Sequence, residues 1–306
     1  MKFYYAGVDI TKDVFINRCE HDTYAGGRAD TMRIRFVDSK NLWDAWSPQC
    51  GDEIRLTEQA ADTGAMFIAD TLPENGLFTI FATSLPPGAQ ARQSRVWEDF
   101  RFLQIAEDIA SRHGLTVKSY GVTDRTYAYI RQDNLSDFEF FNRLCLFESC
   151  ALAVYDKQMI IYNEQAREGA AAVATIKIGA DGHFRYSDAS ACAYGAAEIR
   201  SGDFYGKFTA PNGDASRVLR PSEQIACASS AEAIRFAQGI LRAANKGLRR
   251  GDFRRKLTCN FAAGSVVNIE NEKVPSWNGK VVVTHTRADY VRGISKIFFR
   301  RPLEGY

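Results

Sequence analysis

The sequence is short of the residues that usually announce chemistry. It holds 4 histidines in 306 residues; His21, His113, His183 and His285 are dispersed, with no H-E-x-x-H and no metal-ligand spacing. The 7 cysteines (Cys19, Cys50, Cys145, Cys150, Cys192, Cys227, Cys259) contain no C-x-x-C. Cys145 and Cys150 are expected on different faces of one helix, against a zinc knuckle or a redox pair. The odd, scattered set reads as buried, reduced thiols of a protein that folds in a reducing cytoplasm. No apolar run reaches the roughly 18 residues of a membrane span, and the opening MKFYYAGVDITKD lacks the apolar core of an export signal. The G-x-S-x-G elbow, the Walker A loop and the dinucleotide fingerprint are missing. Gly26-Gly27 lies in a polar loop without the flanks of a phosphate cradle. Glu98-Asp99 and Glu107-Asp108 are adjacent on an expected helix, where neighbours diverge. Together these gaps argue against an enzyme and point to no metal and no cofactor.

Charge of one sign is scarce in one part of the chain. The net charge is +2, yet Arg235–Tyr306 carries 15 Lys and Arg against 5 Asp and Glu, leaving 24 against 32 for the remainder. A basic final third suits a partner surface. Without a basic motif interleaved with aromatics, specific nucleic-acid binding is not expected. Arg249, Arg250, Arg254, Arg255, Lys256, Arg300 and Arg301 are the candidates for subunit or partner boundaries.

What the sequence does have is short strands. Met32, Ile34 and Phe36 alternate with Arg33 and Arg35, the period of a half-buried strand, and GDEIRL (51–56) repeats the pattern with Ile54 and Leu56. Pro73-Glu74-Asn75-Gly76 supplies turn chemistry for a hairpin. A second hairpin is expected around Asp181-Gly182, and a third around Asp156-Lys157 within ALAVYDKQMIIYN. Strands close the chain in KLTCNFA, GSVVNIE and KVVVTHTRADYVRGISKIFF. The run GDEIRL is echoed by GSVVNI (264–269), both G-x-x-[IV]-x-[LI], and each precedes a strand–turn–strand at a similar distance. The echo raises a duplicated β-domain.

Three helices interrupt the strands. Val96–His113 is expected helical, striped by Phe100, Leu103, Ala106 and Ala110 and widened by Phe102, Ile105 and Ile109. Gly114 takes the left-handed cap with Leu115 as its apolar contact, and His113 complements the helix dipole. In YIRQDNLSDFEFFNRL (129–144), Ser136 and Glu139 form a capping box, and Leu135 and Phe140 a hydrophobic staple. The third helix runs near Ser230–Lys246, opened by Ser229 and Glu232 and striped by Ile234, Ala237, Leu241 and Ala244. The aromatics at Trp43, Trp46 and Trp277 leave room for a glycan-binding β-module.

The order of these pieces resembles the phage late control protein D family, the baseplate hub of contractile tails, and the N-terminal hub part of the type VI spike VgrG. The carriers are GDEIRL, then VWEDFRFLQIAEDIASRHGL, then Gln132, Ser136, Asp137 and Phe140 as a Gln-x-x-x-Ser-Asp-x-x-Phe run, then the hairpin ending MIIYN. The resemblance implies an α+β, mainly β chain: two tube-type β-barrel domains (1–90 and 167–306, the second with one helix) joined by an inserted small α/β domain (91–166). It implies a homotrimer that adapts a hexameric tail tube protein to a trimeric spike protein. Other baseplate proteins and a tape measure protein in the lumen would be further partners. Its place would be the baseplate of a virion, a tail-like bacteriocin or another injection particle, assembled in the bacterial cytoplasm. A tail-tip cell-wall hydrolase and the hub-like domain of a non-contractile tail stand as alternatives.

Overall fold

The computed structural model describes residues 1–179, 182–211 and 213–306. The first part contains β1 (Lys2–Tyr5), β2 (Val8–Asp9), β3 (Phe15–Tyr24) and β4 (Thr31–Val37). The short helix α1 (Leu42–Trp46) and β5 (Glu53–Glu58), β6 (Ala61–Asp62), β7 (Met66–Glu74) and β8 (Leu77–Thr83) complete it. The middle part runs β9 (Arg92–Arg101), α2 (Phe102–Arg112), β10 (Thr116–Tyr120), β11 (Thr126–Ser136) and α3 (Asp137–Phe147). It ends in β12 (Cys150–Tyr155), β13 (Gln158–Asn163) and α4 (Glu164–Gly169). The last part holds β14 (Thr175–Ile178), β15 (Phe184–Asp188), β16 (Ala196–Ser201), β17 (Phe204–Thr209) and β18 (Val218–Leu219). After α5 (Ser230–Asn245) come β19 (Arg249–Lys256), β20 (Val266–Asn271), β21 (Gly279–Asp289) and β22 (Ile294–Arg300). The chain is α+β and mainly β.

One sheet runs through both ends of the chain in the order β15-β19-β22-β21-β3-β4-β8-β7-β5-β1-β2. It is two lobes with the same wiring. Lobe 1 pairs β3-β4-β8-β7-β5-β1 and lobe 2 pairs β15-β19-β22-β21-β20-β14. The match extends to register: Ile80 sits between Ile34 and Thr71, and Ile297 between Phe253 and Thr286. Each lobe has a bulge at the matching place, Ile68/Asp70 in β7 and Val283/His285 in β21.

The GDEIRL echo marks this duplication. Gly51 and Gly264 both have positive φ, +94° and +84°. The Gly51 N–H donates to Ile68 O, and the Gly264 N–H donates to Val283 O, each at 2.8 Å. Ile68 and Val283 donate back to Asp52 O and Ser265 O, each at 2.9 Å. Only glycine takes this left-handed turn without strain. The lobes differ at the last ladder, antiparallel for β1·β5 and parallel for β14·β20.

Neither lobe closes into a barrel among the described residues. The free edge of β3, which would seal lobe 1 on itself, is spent on β21 of lobe 2. Where the resemblance implies two tube-type β-barrel domains, the described residues form two open walls sharing one sheet.

Three cores lie behind these elements. Lobe 1 buries Phe3, Ile34, Phe36, Trp43, Ile54, Leu56 and Ile80; lobe 2 buries Ile176, Phe253, Val267, Trp277, Val281, Ile297 and Phe299. Trp43 stacks on Phe78 and Trp277 on Tyr186, at centroid distances of 5.2 and 4.6 Å. Both are therefore core residues, and of the three tryptophans proposed for glycan contact only Trp46 is exposed. The third core joins α2, α3, β12 and β13 to Ala197, Ile199, Ala233, Phe236 and Leu241. The cores thus divide the chain differently from the expected 1–90, 91–166 and 167–306: the segment carrying β16, β17 and α5 packs into the middle part.

Several local expectations shift. Residues 92–101 are a strand, not the start of a helix, because they pair with β11 in a two-stranded ribbon. The helix proper starts at Phe102 and buries Phe102, Ile105, Ala106, Ile109 and Ala110. Its end is as expected: Gly114 has φ +65°, and the Leu115 N–H reaches Ala110 O at 2.8 Å. In α5 the buried stripe is Ala233, Phe236, Ala237 and Leu241, one residue round from the expected one, leaving Ile234 and Ala244 exposed. The expected turn residue Asp181 lies outside the described residues; the strands flanking it, β14 and β15, pair with β20 and β19 instead of each other. Residues 257–262 are loop.

Candidate assembly surfaces

The strand-to-helix corner at Gln132–Phe140 is knotted by hydrogen bonds. The Ser136 hydroxyl accepts from Glu139 N–H at 3.2 Å, and the Glu139 carboxylate accepts from Ser136 N–H at 3.0 Å. This capping box contributes about 1 kcal/mol. Gln132 is fully buried and donates to Leu135 O at 2.8 Å and to Asp137 Oδ1 at 3.0 Å. The other Asp137 oxygen meets His113 Nε2 at 3.0 Å and Arg112 Nη2 at 3.2 Å. These contacts hold the Asp137 carboxyl below the usual carboxylate range against the opposing effect of burial. Leu135 packs against the core that contains Phe138, Phe140 and Phe141. The Gln-x-x-x-Ser-Asp-x-x-Phe run therefore makes a rigid corner.

The basic candidates separate into two groups. Arg249, Arg250, Arg254, Arg255 and Lys256 are exposed on β19, with Arg250, Arg254 and Lys256 on the face opposite the buried Phe253. Arg249 pairs with Asp188 at 3.0 Å and lies over the Trp277 ring. Arg300 and Arg301 are different. Arg300 is only 6% exposed and donates to Glu168 at 2.5 Å, which also accepts from the buried Arg242 and from Leu303 N–H at 3.0 Å. Arg301 donates to Lys280 O and Asn278 O at 3.1 and 3.0 Å. These two residues hold the chain's own parts together. Sequence reasoning missed Glu168 and Arg242; nothing in a surface-like E-x-x-x-E or an Arg on a helix tells that they meet.

A cleft of about 640 Å³ opens where the lobes meet the middle part, lined by His21, Asp30, Tyr24, Tyr155, Tyr162 and Tyr290 among others. Burial lowers the His21 pKa to about 4 and raises that of Asp30 to about 7. Asp30 accepts from Tyr24 N–H at 2.8 Å, and the Tyr162 hydroxyl donates to Ala25 O. The Gly27 N–H reaches Leu152 O at 3.1 Å. The β3–β4 turn is thereby clasped by the middle part. His285, expected as a core or interface residue, lies in the lobe junction, stacked between Tyr24 and Phe298 and bonded to Asp22 at 2.5 Å.

The middle part occupies one rim of the sheet, through Gly27, Asp62, Ala65, Gly264 and Arg300. The opposite rim, where β3 and β22 begin and β4 ends, exposes apolar side chains among charged ones: Phe15 is 68% exposed, and Val37, Leu42, Trp46, Val291 and Ile294 are exposed with it, beside Lys40, Asp44 and Arg292. Among the described residues no cluster of His, Cys, Asp and Glu has the form of a metal site, and no helix is long and apolar enough to cross a membrane.

No family model and no curated protein matches the sequence. Solved structures do match in fold. A 43 kDa tail protein of prophage MuSo2 from Shewanella oneidensis is similar over 98% of both chains, with a TM-score of 0.74 at 11% identity. A tail protein from Neisseria meningitidis MC58 gives 0.76 at 9% identity over 98% of this chain and 95% of that one. An E. coli type VI secretion component, described as similar to T4 tail proteins gp27 and gp5, gives 0.63 at 10% identity over 100% and 78%. The chain has the fold of phage tail and type VI secretion proteins from end to end.

Proposed function

We propose that this chain is a structural component of a tail baseplate, a hub that forms a ring between the tail tube and the spike. The observation that carries the reading is the register-matched pair of lobes in one polypeptide. Three copies supply six near-equivalent walls, so the ring is sixfold towards a hexameric tube protein and threefold towards a trimeric spike. Each lobe then serves as a tube-type wall whose barrel character arises in the assembly, with the middle part as the inserted domain. The fold shared with tail proteins along the whole length supports it, as do the exposed Phe15, Trp46 and Ile294 on the rim away from the middle part, which suit the tube. Binding to that rim is a packing event, and no catalysis is assigned to the chain. Its place is the baseplate of a virion or related particle, assembled in the cytoplasm and contacting other baseplate proteins and a tape measure in the lumen. The test is the mass of the purified protein by light scattering, with end-on electron microscopy. A ring of three times 34.2 kDa that captures tube protein is expected. A chain that stays monomeric at every concentration and does not enter tail particles overturns the reading.

A further inference from the structure

The joint between the lobes is a template for a second joint. In the chain, β3 pairs with the Asp289 end of β21: Thr23 faces Thr286, Asp22 faces Arg287 and Glu20 faces Asp289. The Thr23 and Thr286 hydroxyls lie 2.6 Å apart, and Arg287 Nε donates to Asp22 at 2.8 Å. In the shared wiring, β15 holds in lobe 2 the place of β3, and β7 holds in lobe 1 the place of β21. Those two counterparts are unspent. Among the described residues β15 pairs only with β19, and the Asp70–Glu74 half of β7 only with β8. Asp70, Leu72, Pro73 and Glu74 are exposed, as are Arg185, Ser187 and Asp188.

We infer that β15 of one copy adds to the outer edge of β7, at Asp70–Glu74, of a second copy of this chain. The pairing is antiparallel and keeps the register of β3·β21. Transferring that register through the matched ladders places Asp188 opposite Thr71, Ser187 opposite Leu72, Tyr186 opposite Pro73 and Arg185 opposite Glu74. The last pair joins opposite charges across neighbouring strands, a favourable cross-strand combination. Main-chain hydrogen bonds carry the affinity of such edge addition.

Pro73 bounds the joint. In β3·β21 the Ala25 N–H donates to Thr284 O and the Tyr290 N–H to Cys19 O, each at 2.9 Å. Ala288 has the same orientation as Thr284 and Tyr290, and Pro73 stands in its place without an N–H to give. The new ladder is therefore short and centred on Thr71 and Asp188. A proline on an open edge also limits unwanted strand addition.

The inference rests on the ring reading, and disulfide trapping separates the two. In a Cys50→Ser, Cys192→Ser background, one preparation carries Leu72→Cys and another Ser187→Cys. These positions correspond to Arg287 and Asp22, a pair whose side chains lie close across the ladder. Mild oxidation of the mixed preparations is expected to give a covalent dimer that neither gives alone, and the double variant covalent trimers. Leu72→Cys mixed with Asp188→Cys, one residue out of register, is expected to stay unlinked. Assembly into a threefold ring without the Leu72–Ser187 link, or with the off-register link favoured, overturns the joint and leaves the ring standing. A monomer under all conditions overturns both.

Discussion

Lobe 1 and lobe 2 share strand order, register, bulge and glycine turn, but few side chains. Thr79 corresponds to Lys296, Val37 to Lys256 and Thr83 to Arg300, while Phe81 matches Phe298 and Ile80 matches Ile297. What persists is what the backbone needs: a positive-φ glycine, a bulge and an apolar residue at each inward position. What drifts is the decoration. The fastenings to the middle part have also diverged. Lobe 1 is held at its β3–β4 turn by Leu152 O and the Tyr162 hydroxyl and at Asp62 and Ala65 by Tyr155 and Asp156, lobe 2 by the buried cluster of Glu168, Arg242 and Arg300.

The comparison is broken most severely at that cluster. Glu168→Gln takes the counter-charge from the buried Arg300 and leaves Arg242 with Glu164 alone, 3.4 Å away, and a loss of roughly 3–5 kcal/mol is expected in denaturant unfolding. The transition should also split if lobe 2 loosens first. A smaller effect sharpens the duplication itself. Gly51→Ala and Gly264→Ala both force a side chain into left-handed backbone at about 1 kcal/mol. A Cβ at Gly51 would in addition stand 2.8 Å from Pro87 Cγ, whereas at Gly264 the nearest atom is 3.6 Å away. Gly51→Ala should therefore cost about twice as much; equal losses would mean the two turns are less alike than their hydrogen bonds. The smallest effect concerns the cleft. Because burial raises the folded pKa of Asp30 to about 7 from an ordinary 3.8, its proton is held more tightly in the folded state. Stability from this group is full below the lower value and declines as pH rises towards 7. Asp30→Asn should thus gain on the order of 1 kcal/mol at pH 8, with the gain vanishing near pH 4; a pH series of urea melts measures it.

Much of this was legible because it is local. Alternation in MRIRFVD, the Asn75-Gly76 turn, the Ser136–Glu139 cap and the Ser229 cap depend on residues within one turn or strand. The G-x-x-[IV]-x-[LI] echo was a true trace of the duplication, since its glycine is dictated by backbone geometry. Where the sequence misled, a distant partner decided. Val96–Arg101 has apolar residues at helical spacing, yet pairing with β11 makes it a strand. The basic residues of the final third share a charge but not a setting: Arg300 is buried against α4, and Arg301 is tied to the β21 entry. Charge says nothing about which side of a strand a neighbour will cover. The open shape of the lobes has a similar origin: the Glu20–Tyr24 edge of β3 is taken by β21.

One difference in wiring bears on how the chain folds. In lobe 1, β3 and β4 are separated only by residues 25–30, so a hairpin can zip as soon as it is made. In lobe 2, the matching β15 and β19 are separated by residues 189–248, which include α5 and belong to the core of the middle part. Contacts between such remote segments carry a larger loop-closure cost and form slowly. As the polypeptide leaves the ribosome, the first wall can stand early, while the second waits for the middle part to settle and bring its two halves within reach. The copy that copies the other is thus the one that depends on it, and on everything between, to take shape.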